Sequence, residues 1–361
     1  MRNPLTAAQW RGLGLALAIG FAGGLLFSWL GWPLPWMMGP MIATTLAALT
    51  RLPVAVPVTL RDPMMAIIGV LLGSGFTPEL VANLWTWLPT LLVLPIYVAL
   101  VAVSSMTYLR LVTRFDPRTT FFAGMPGGFG EMVLLGDRAG GDARRIALVH
   151  TVRVLLIVLT VPLLVRAFGI ELPSALPAAA RAGWLEVAGL LLAAGIGGWL
   201  GTMLRLPAPT LLGGMVVSAI GHLTGLLEGA PPVLFVAIAQ LVIGCSIGAR
   251  FVGFRLHDVL ATMIAGIGLT LVMFAASFVV AALVHLATGT EPLLLLLALV
   301  PGGVAEMSVI ALALGVDPAF VATHHIVRIA IVVMTAPFVF RLLERRYRPP
   351  GSKDAGPKAG V

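Results

Sequence analysis

The sequence predicts an all-α polytopic membrane protein made of two inverted-topology repeats, each with about five transmembrane helices and one broken or re-entrant segment. Three observations predict this fold. The chain of 361 residues is 59% hydrophobic and only 11% charged, whereas about a quarter of the residues in soluble domains are charged. Apolar blocks long enough to span a bilayer recur along the whole chain. In addition, the second half of the chain repeats the first.

The repeat is clearest around the motif PGGFGEM at residues 126–132, because a near copy, PGGVAEM, spans residues 301–307. When residues 126–166 are aligned with residues 301–341, fifteen of the 41 positions are identical. Self-similarity over such a length indicates a duplicated structural unit. We therefore predict that both copies contain the same elements in the same order.

The starts of the two halves also align, and this alignment pairs Gly23 with Gly197 and Gly39 with Gly213. The two alignments together indicate that the whole chain is a duplication. They divide it into a first membrane repeat, a linker, a second membrane repeat and a basic, disordered cytoplasmic tail, at residues 10–168, 169–183, 184–343 and 344–361.

Each half is predicted to contain five apolar helices, with the broken PGG segment between the fourth and the fifth. In the first half the helices lie near residues 12–30, 36–50, 63–76, 88–109 and 143–166, and the broken segment lies near 117–136. In the second half the helices lie near residues 185–204, 208–226, 232–248, 259–286 and 318–341, and the broken segment lies near 293–314.

The distribution of basic residues predicts how the two copies face. If each broken segment enters and leaves on one side, each half crosses the membrane five times and the second copy is upside down. This arrangement places nearly all of the 23 Lys and Arg residues on the inner side, whereas six crossings in each half would move several of them outside. The positive-inside rule therefore favours inverted copies. We expect a bacterial cytoplasmic (inner) membrane location with both termini in the cytoplasm.

The proline and the two glycines of each motif are expected to interrupt a helix at membrane depth. Proline stops the helix, and glycine lets the chain turn tightly. Irregular backbone at this depth is tolerated only inside protein or facing a watery cavity. A half-helix is then expected to begin near Glu131 and another near Glu306. Their free N–H groups and positive dipole ends could hold an anion near the midplane.

The fifth helix of each half adds charged and titratable groups. His150 and Arg153 are three residues apart and share a helix face, and His325 and Arg328 repeat this spacing. An arginine inside an apolar helix is costly and indicates function, and its planar fork suits a carboxylate or a phosphate. Histidine titrates near physiological pH and could couple proton movement to transport. The predicted substrate-binding residues are Gly127, Gly128, Glu131, His150, Arg153, Gly302, Gly303, Glu306, His325 and Arg328.

Two structural alternatives stay open for these residues. Glu131 with Arg153, and Glu306 with Arg328, could form buried ion pairs that only hold the protein together. The glycines of the motif could be notches that let membrane helices pack closely, because small residues allow two backbones to approach.

The paired PGGxxEM signatures, each followed by H-x-x-R on the next apolar helix, resemble the membrane AbrB family, whose members carry a tandem AbrB duplication. The resemblance covers nearly the full chain. It implies a regulator of gene expression, notably of the AidB gene, or a protein labelled ammonia monooxygenase. At the level of fold it implies a relation to secondary transporters built from inverted repeats. Nothing in the chain resembles the small soluble DNA-binding regulators that are also called AbrB.

Taken together, these features predict a secondary transporter of a small polar or anionic solute, with proton coupling as an option. Transport would proceed by alternating access around a midplane site made by the two PGG segments. The alternative is a membrane-embedded regulator that changes gene expression indirectly. We expect no enzyme activity, because the six histidines and the single cysteine match no metal motif or nucleophile–base set.

The expected partners follow from the same composition. They are the lipid bilayer and a small-molecule or ion substrate, and a homodimer stays open. The formal charge of +8 is spread over loops and the tail, which is typical of cytoplasmic loops, so no direct nucleic acid binding is expected. No cofactor and no metal are expected.

Overall fold

The computed structural model describes residues 6–78, 81, 84–167, 183–206 and 208–347. These described residues contain fourteen α-helices and no strand. The helices of the first half are α1 (Ala7–Trp29), α2 (Pro35–Leu49), α3 (Val58–Gly73), α4 (Leu88–Val112), α5 (Pro117–Gly124), α6 (Phe129–Arg138) and α7 (Ala143–Ala167). Those of the second half are α8 (Trp184–Met203), α9 (Pro209–Leu223), α10 (Val233–Ala249), α11 (Leu256–Thr288), α12 (Pro292–Leu299), α13 (Val304–Ala313) and α14 (Pro318–Tyr347).

Within these described residues, six helical segments are long and apolar enough to cross a membrane. They are Ala7–Trp29, Leu84–Val112, Ala143–Val165, Trp184–Met203, Leu256–Thr288 and Pro318–Leu343. The predicted class, an all-helical multi-pass membrane protein, is therefore confirmed. The predicted linker apart from Gly183, and the predicted tail from residue 348 onward, lie outside the described residues.

The predicted helix limits need correction at α3, which begins at Val58 rather than near residue 63, and at the two ends of the duplicated region. Helix α1 begins at Ala7 rather than near residue 12, because Thr6 and Gln9 form a capping box in which each side chain accepts from the other's backbone N–H. Helix α14 continues to Tyr347, past the predicted repeat end at residue 343.

Equivalent helices of the two halves begin at residues that the self-alignment of the sequence pairs. In the register that superimposes the two PGG motifs, the starts of α3, α5, α6 and α7 fall on those of α10, α12, α13 and α14. In the register that pairs Gly23 with Gly197, Pro35 at the start of α2 falls on Pro209 at the start of α9. The duplication read from the sequence is therefore also present in the order and the limits of these helices.

Contacts between helices divide the structure into two bundles. The first, here called the scaffold bundle, consists of α1–α3 and α8–α10. The second, here called the hairpin bundle, consists of α4–α7 and α11–α14. Each bundle therefore contains the same elements from both halves. The contacts between the bundles are made chiefly by α3 with α13 and α14, and by α2 with α7.

Glycines let the helices of the scaffold bundle touch backbone to backbone. A Cβ atom added at Gly23 of α1 would lie 2.5 Å from the carbonyl oxygen of Gly39 on α2. Helices α8 and α9 approach in the same way at Gly197 and Gly213. These four glycines are the ones that the sequence alignment pairs, and they act as packing notches.

The equivalent helices α3 and α10 run antiparallel. Val70, in the second half of α3, lines the same small cavity as Phe235 at the start of α10. At the other end, Arg61 in the first turn of α3 lies within electrostatic range of Arg250, which ends α10.

Candidate functional site

The first broken segment folds back on itself as a hairpin of two short helices. Helix α5 begins after Asp116, whose carboxylate caps it by accepting from the N–H groups of Arg118 and Thr119. The backbone N–H of Asp142, which follows the end of α6, donates to Thr119 Oγ1 at 2.8 Å. The chain therefore returns, after residues 125–128, to the end at which it entered. Helices α12 and α13 have the same lengths as α5 and α6, 8 and 10 residues.

The glycines of the two motifs provide space, not an unusual backbone conformation. None of Gly127, Gly128, Gly302 and Gly303 has a positive φ; Gly128 and Gly303, which cap α6 and α13, are extended at φ −68° and −77°. The turn in each motif therefore does not depend on the left-handed conformation that glycine permits. What each position requires is the absence of a side chain.

The space at each glycine is filled by another residue of the same motif. A Cβ atom at Gly127 would lie 2.9 Å from Met132 Sδ, and one at Gly302 would lie 2.5 Å from Met307 Cγ. A Cβ atom at Gly128 would overlap the carboxylate of Glu131. In the second copy, Glu306 covers Gly303 in the same way. Within each PGGxxEM motif, the methionine side chain therefore packs against the first glycine, and the glutamate carboxylate packs against the second.

In the first half, Arg153 and His150 form hydrogen bonds with backbone carbonyl groups of the hairpin. Arg153 donates to the carbonyl oxygens of Met125 at 3.1 Å and Gly127 at 3.0 Å. His150 Nε2 lies 2.9 Å from the carbonyl oxygen of Phe122. The last carbonyls of a helix have no partner within it. These two side chains supply partners at the end of α5 and along the turn.

The second half repeats this arrangement with more hydrogen bonds. Arg328 donates to the carbonyl oxygens of Leu299 at 3.2 Å, Val300 at 3.2 Å and Gly302 at 3.1 Å. Its Nη2 also lies 2.9 Å from His325 Nδ1, and His325 Nε2 lies 3.0 Å from the carbonyl oxygen of Leu297. Arg328 is 1% exposed and Arg153 is 2% exposed, so both cations are held by backbone dipoles inside the protein.

The ion pairs that the sequence left open are not formed. Among the described residues, no carboxylate lies within 4.0 Å of Arg153 or Arg328. Glu131 and Glu306 instead occupy the first turns of α6 and α13, where a negative charge complements the helix dipole. Glu306 is buried, and Glu131 is partly exposed.

Each glycine turn contacts the fifth helix of the other half. A Cβ atom at Gly127 would lie 2.9 Å from Val332 Cγ1 on α14, and one at Gly302 would lie 3.4 Å from Ile157 Cγ2 on α7. Ile157 and Val332 are equivalent in the two copies. The structure thus brings the two motifs into one region, and the side chains at these two contacts are apolar.

Three buried nitrogen atoms of the predicted set have no hydrogen-bond partner among the described residues. They are Arg153 Nε, Arg328 Nε and His150 Nδ1. Buried donors are usually paired with protein or water. The structure tests no contact of the ten predicted residues with a solute, so their substrate-binding role stays a prediction.

Two further polar residues of this region were missed by sequence reasoning. Tyr97 on α4 donates to the carbonyl oxygen of Leu299, which Arg328 also contacts, and lies 2.8 Å from Ser277 Oγ. Arg250, at the end of α10, places its guanidinium carbon 4.4 Å from the ring centroid of Phe129, the first residue of α6. The duplication provides no equivalent arginine, since Gly75 stands at the matching position.

The residues that precede α7 and α14 act as caps. Asp142 accepts from the N–H of Arg145, and Asp317 accepts from the N–H groups of Ala319 and Phe320. Burial raises the pKa of the Asp317 carboxyl, and these two hydrogen bonds oppose the shift.

Within the described part of the chain, no three His, Cys, Asp or Glu residues are grouped as a metal ion would require.

The chain is similar to known proteins over almost its whole length. The family model described as "Transition state regulatory protein AbrB" matches residues 36–344. The chain is 29% identical to "Uncharacterized protein YhjN" of Bacillus subtilis (strain 168), over 91% of this chain and 92% of that protein. It is 24% identical to "Putative regulator AbrB" of Escherichia coli (strain K12), over 92% of this chain and 94% of that protein.

Proposed function

The chain belongs to the AbrB family, and from the geometry of its two hairpins we propose that it is a secondary transporter of a small polar or anionic solute. The observation that carries this proposal is the contact of each glycine turn with the fifth helix of the other half. Discontinuous helices that meet at the boundary of two repeats are where transporters of this architecture bind their solutes.

Inverted repeats are supported by the directions of the helices. The equivalent helices α3 and α10 run antiparallel, which an axis in the membrane plane produces. The contact of Asp142 with Thr119 supports a first hairpin that enters and leaves on one side. Each half then crosses five times, and the second hairpin opens to the opposite side. With the basic residues inside, both termini are cytoplasmic and the membrane is the bacterial inner membrane.

The two bundles suggest how access would alternate. The scaffold bundle is joined through glycine notches, at which the backbones of neighbouring helices touch. Fewer helices make contact across the boundary between the bundles. Movement of the hairpin bundle against the scaffold bundle would expose the two motifs first to one side and then to the other. The buried arginines keep each hairpin intact during this movement, because they satisfy its carbonyl groups.

The side from which each hairpin opens can be measured by labelling. In a variant with Cys245 replaced by alanine, single cysteines at Arg118 and Arg138 are expected to react with an impermeant maleimide from the same side of the membrane. A cysteine at Glu291, before α12, is expected to react from the opposite side. Labelling of positions 118 and 138 from opposite sides would show a crossing segment and would remove the inverted arrangement.

Transport itself is tested by alanine at the second glycine of each motif. In the double variant Gly128→Ala and Gly303→Ala, each new Cβ atom displaces the carboxylate of Glu131 or Glu306. A carboxylate at the end of a flexible side chain can move, so folding is retained. We expect flux into proteoliposomes, measured with acetate, succinate, phosphate and glutamate, to fall by about tenfold or more, because catalysis and transport depend on positions held within about 1 Å.

The matched control is Gly130→Ala, close to Gly128 and on α6 itself. A Cβ atom at Gly130 has no neighbour within 4 Å, so flux is expected to be unchanged. Normal flux in the double variant would contradict the assignment of the site.

The second candidate function, indirect regulation of gene expression, is favoured by the name of the E. coli relative. Absence of flux for every solute, together with a stable soluble partner, would favour that candidate.

A further inference from the structure

Arg250 stands where the two bundles meet, and it is contacted by elements of both. It ends α10 of the scaffold bundle. Its guanidinium lies over the ring of Phe129, which begins α6 of the hairpin bundle. The charged groups that act on it are Glu306, in the first turn of α13, and Arg61, in the first turn of α3. One side chain is therefore close to both half-helices and to both repeats.

The guanidinium of Arg250 has no acceptor of its own among the described residues. No carboxylate of that part of the chain lies within 4.0 Å of it, and no described residue accepts a hydrogen bond from it. Arg61, its cationic neighbour, is by contrast paired with Asp62 at 3.0 Å. An arginine remains charged and carries five N–H donors in a planar fork. The guanidinium carbon lies over the Phe129 ring, and this cation–π contact uses none of the N–H donors.

The position of Arg250 also fits a bound anion. The half-helices α6 and α13 present their N-terminal ends to this region, and each is 10 residues long. Backbone N–H groups at such ends favour negative charge. The carboxylate of Glu306 interacts electrostatically with Arg250. The two groups do not form an ion pair within 4.0 Å. An anion on Arg250 would therefore compete with Glu306 for the same cation.

We propose that Arg250 binds the charged group of an anionic solute, a carboxylate or a phosphate, between the N-terminal ends of α6 and α13. This inference rests on the proposed transport function and names the class of its solute. It places recognition of the charge on a residue of one repeat alone, since the equivalent position is Gly75. Arg153 and Arg328, which are committed to backbone carbonyls, then hold the hairpins in place.

The proposal is tested by binding to the full-length protein in nanodiscs. Thermal unfolding is followed by tryptophan fluorescence while sodium phosphate, acetate or succinate is added, with sodium chloride at equal ionic strength as reference. We expect the unfolding temperature of the wild type to rise with phosphate or with a carboxylate, which distinguishes the two classes. In Arg250→Gln the apparent affinity is expected to fall about tenfold or more, because a charge-assisted bidentate contact is lost.

Three further variants sharpen this test. Arg255→Gln, in the exposed loop that follows, is the matched control and should bind as the wild type does. Arg250→Lys keeps the charge and guards against loss of folding, yet it should still bind more weakly than arginine because it lacks the planar fork. Glu306→Gln should bind the anion more tightly, because the competing carboxylate is gone.

The outcomes separate this inference from the proposed function. Unchanged binding in Arg250→Gln, or no response of the wild type to any of the three anions, would overturn the role of Arg250. If proteoliposome flux persists in the wild type and equally in Arg250→Gln, the transporter stands and the anion site falls. If anion binding depends on Arg250 but no flux is found, the site stands and the transporter falls.

Discussion

Replacement of Arg328 by alanine is expected to lower the free energy of unfolding by about 3–5 kcal/mol. The guanidinium donates to the carbonyl oxygens of Leu299, Val300 and Gly302 inside the protein. Tyr97 would still donate to the carbonyl oxygen of Leu299, and the backbone N–H of Gly302 would still donate to that of Val300 at 2.8 Å, but the carbonyl of Gly302 would be left without a partner among the described residues. An unpaired buried polar group costs about 1–3 kcal/mol, and removal of a side chain that is 1% exposed also leaves a cavity.

Unfolding of the purified protein in detergent, followed by fluorescence, measures this cost. Arg341→Ala is the matched control, because Arg341 lies on the same helix and its side chain is exposed, so a change within about 0.5 kcal/mol is expected. Arg328→Lys should recover only part of the loss, since one ammonium cannot reach three carbonyls in a fixed fork. An alanine variant as stable as the wild type would show that Arg328 is not needed to hold the hairpin.

The membrane helices and the places where they break could be predicted from the sequence. Long apolar runs carry their own signal, and Pro126 and Pro301 mark the interruptions. The role of the arginines could not be predicted in the same way. Arg153 and Arg328 were predicted to bind a solute, which stays a prediction, but their donation to backbone carbonyls was not foreseen. Every residue has a carbonyl group, so a sequence pattern does not reveal which ones lack a partner.

The role of the glycines in the motif was also only partly predictable from the sequence. Their number and spacing were visible, and Gly128 stands close to Glu131 in the sequence itself. The sequence suggested a turn, because glycine is common in turns. In the structure the backbone has no left-handed glycine at these positions, and the neighbouring side chain occupies the space beside each glycine. Arg250 was missed for another reason. The predicted site residues are those that both copies contain, and Arg250 occurs in one copy alone.

A larger side chain at Gly213 is expected to destabilise the scaffold bundle more than one at Gly303 destabilises a hairpin. In Gly213→Ala, the new Cβ atom would overlap the carbonyl oxygen of Gly197 and lie 2.6 Å from its carbonyl carbon. Both atoms belong to the backbone of α8 and cannot rotate away, so α8 and α9 must separate. Overpacking of this kind costs about 1–3 kcal/mol, and more where the backbone must shift, so we expect a loss of about 3 kcal/mol.

Gly195→Ala is the control for this expectation, because Gly195 lies on α8 and a Cβ atom there would have no neighbour within 4 Å. It should leave stability unchanged or raise it slightly, since alanine favours the helix over glycine by about 1 kcal/mol. Gly39→Ala should behave as Gly213→Ala does, because a Cβ atom there would lie 2.5 Å from the carbonyl carbon of Gly23. If both notch variants unfold as the wild type does, the helices do not depend on backbone contact. The scaffold bundle would then be too loosely joined to serve as the fixed partner in transport.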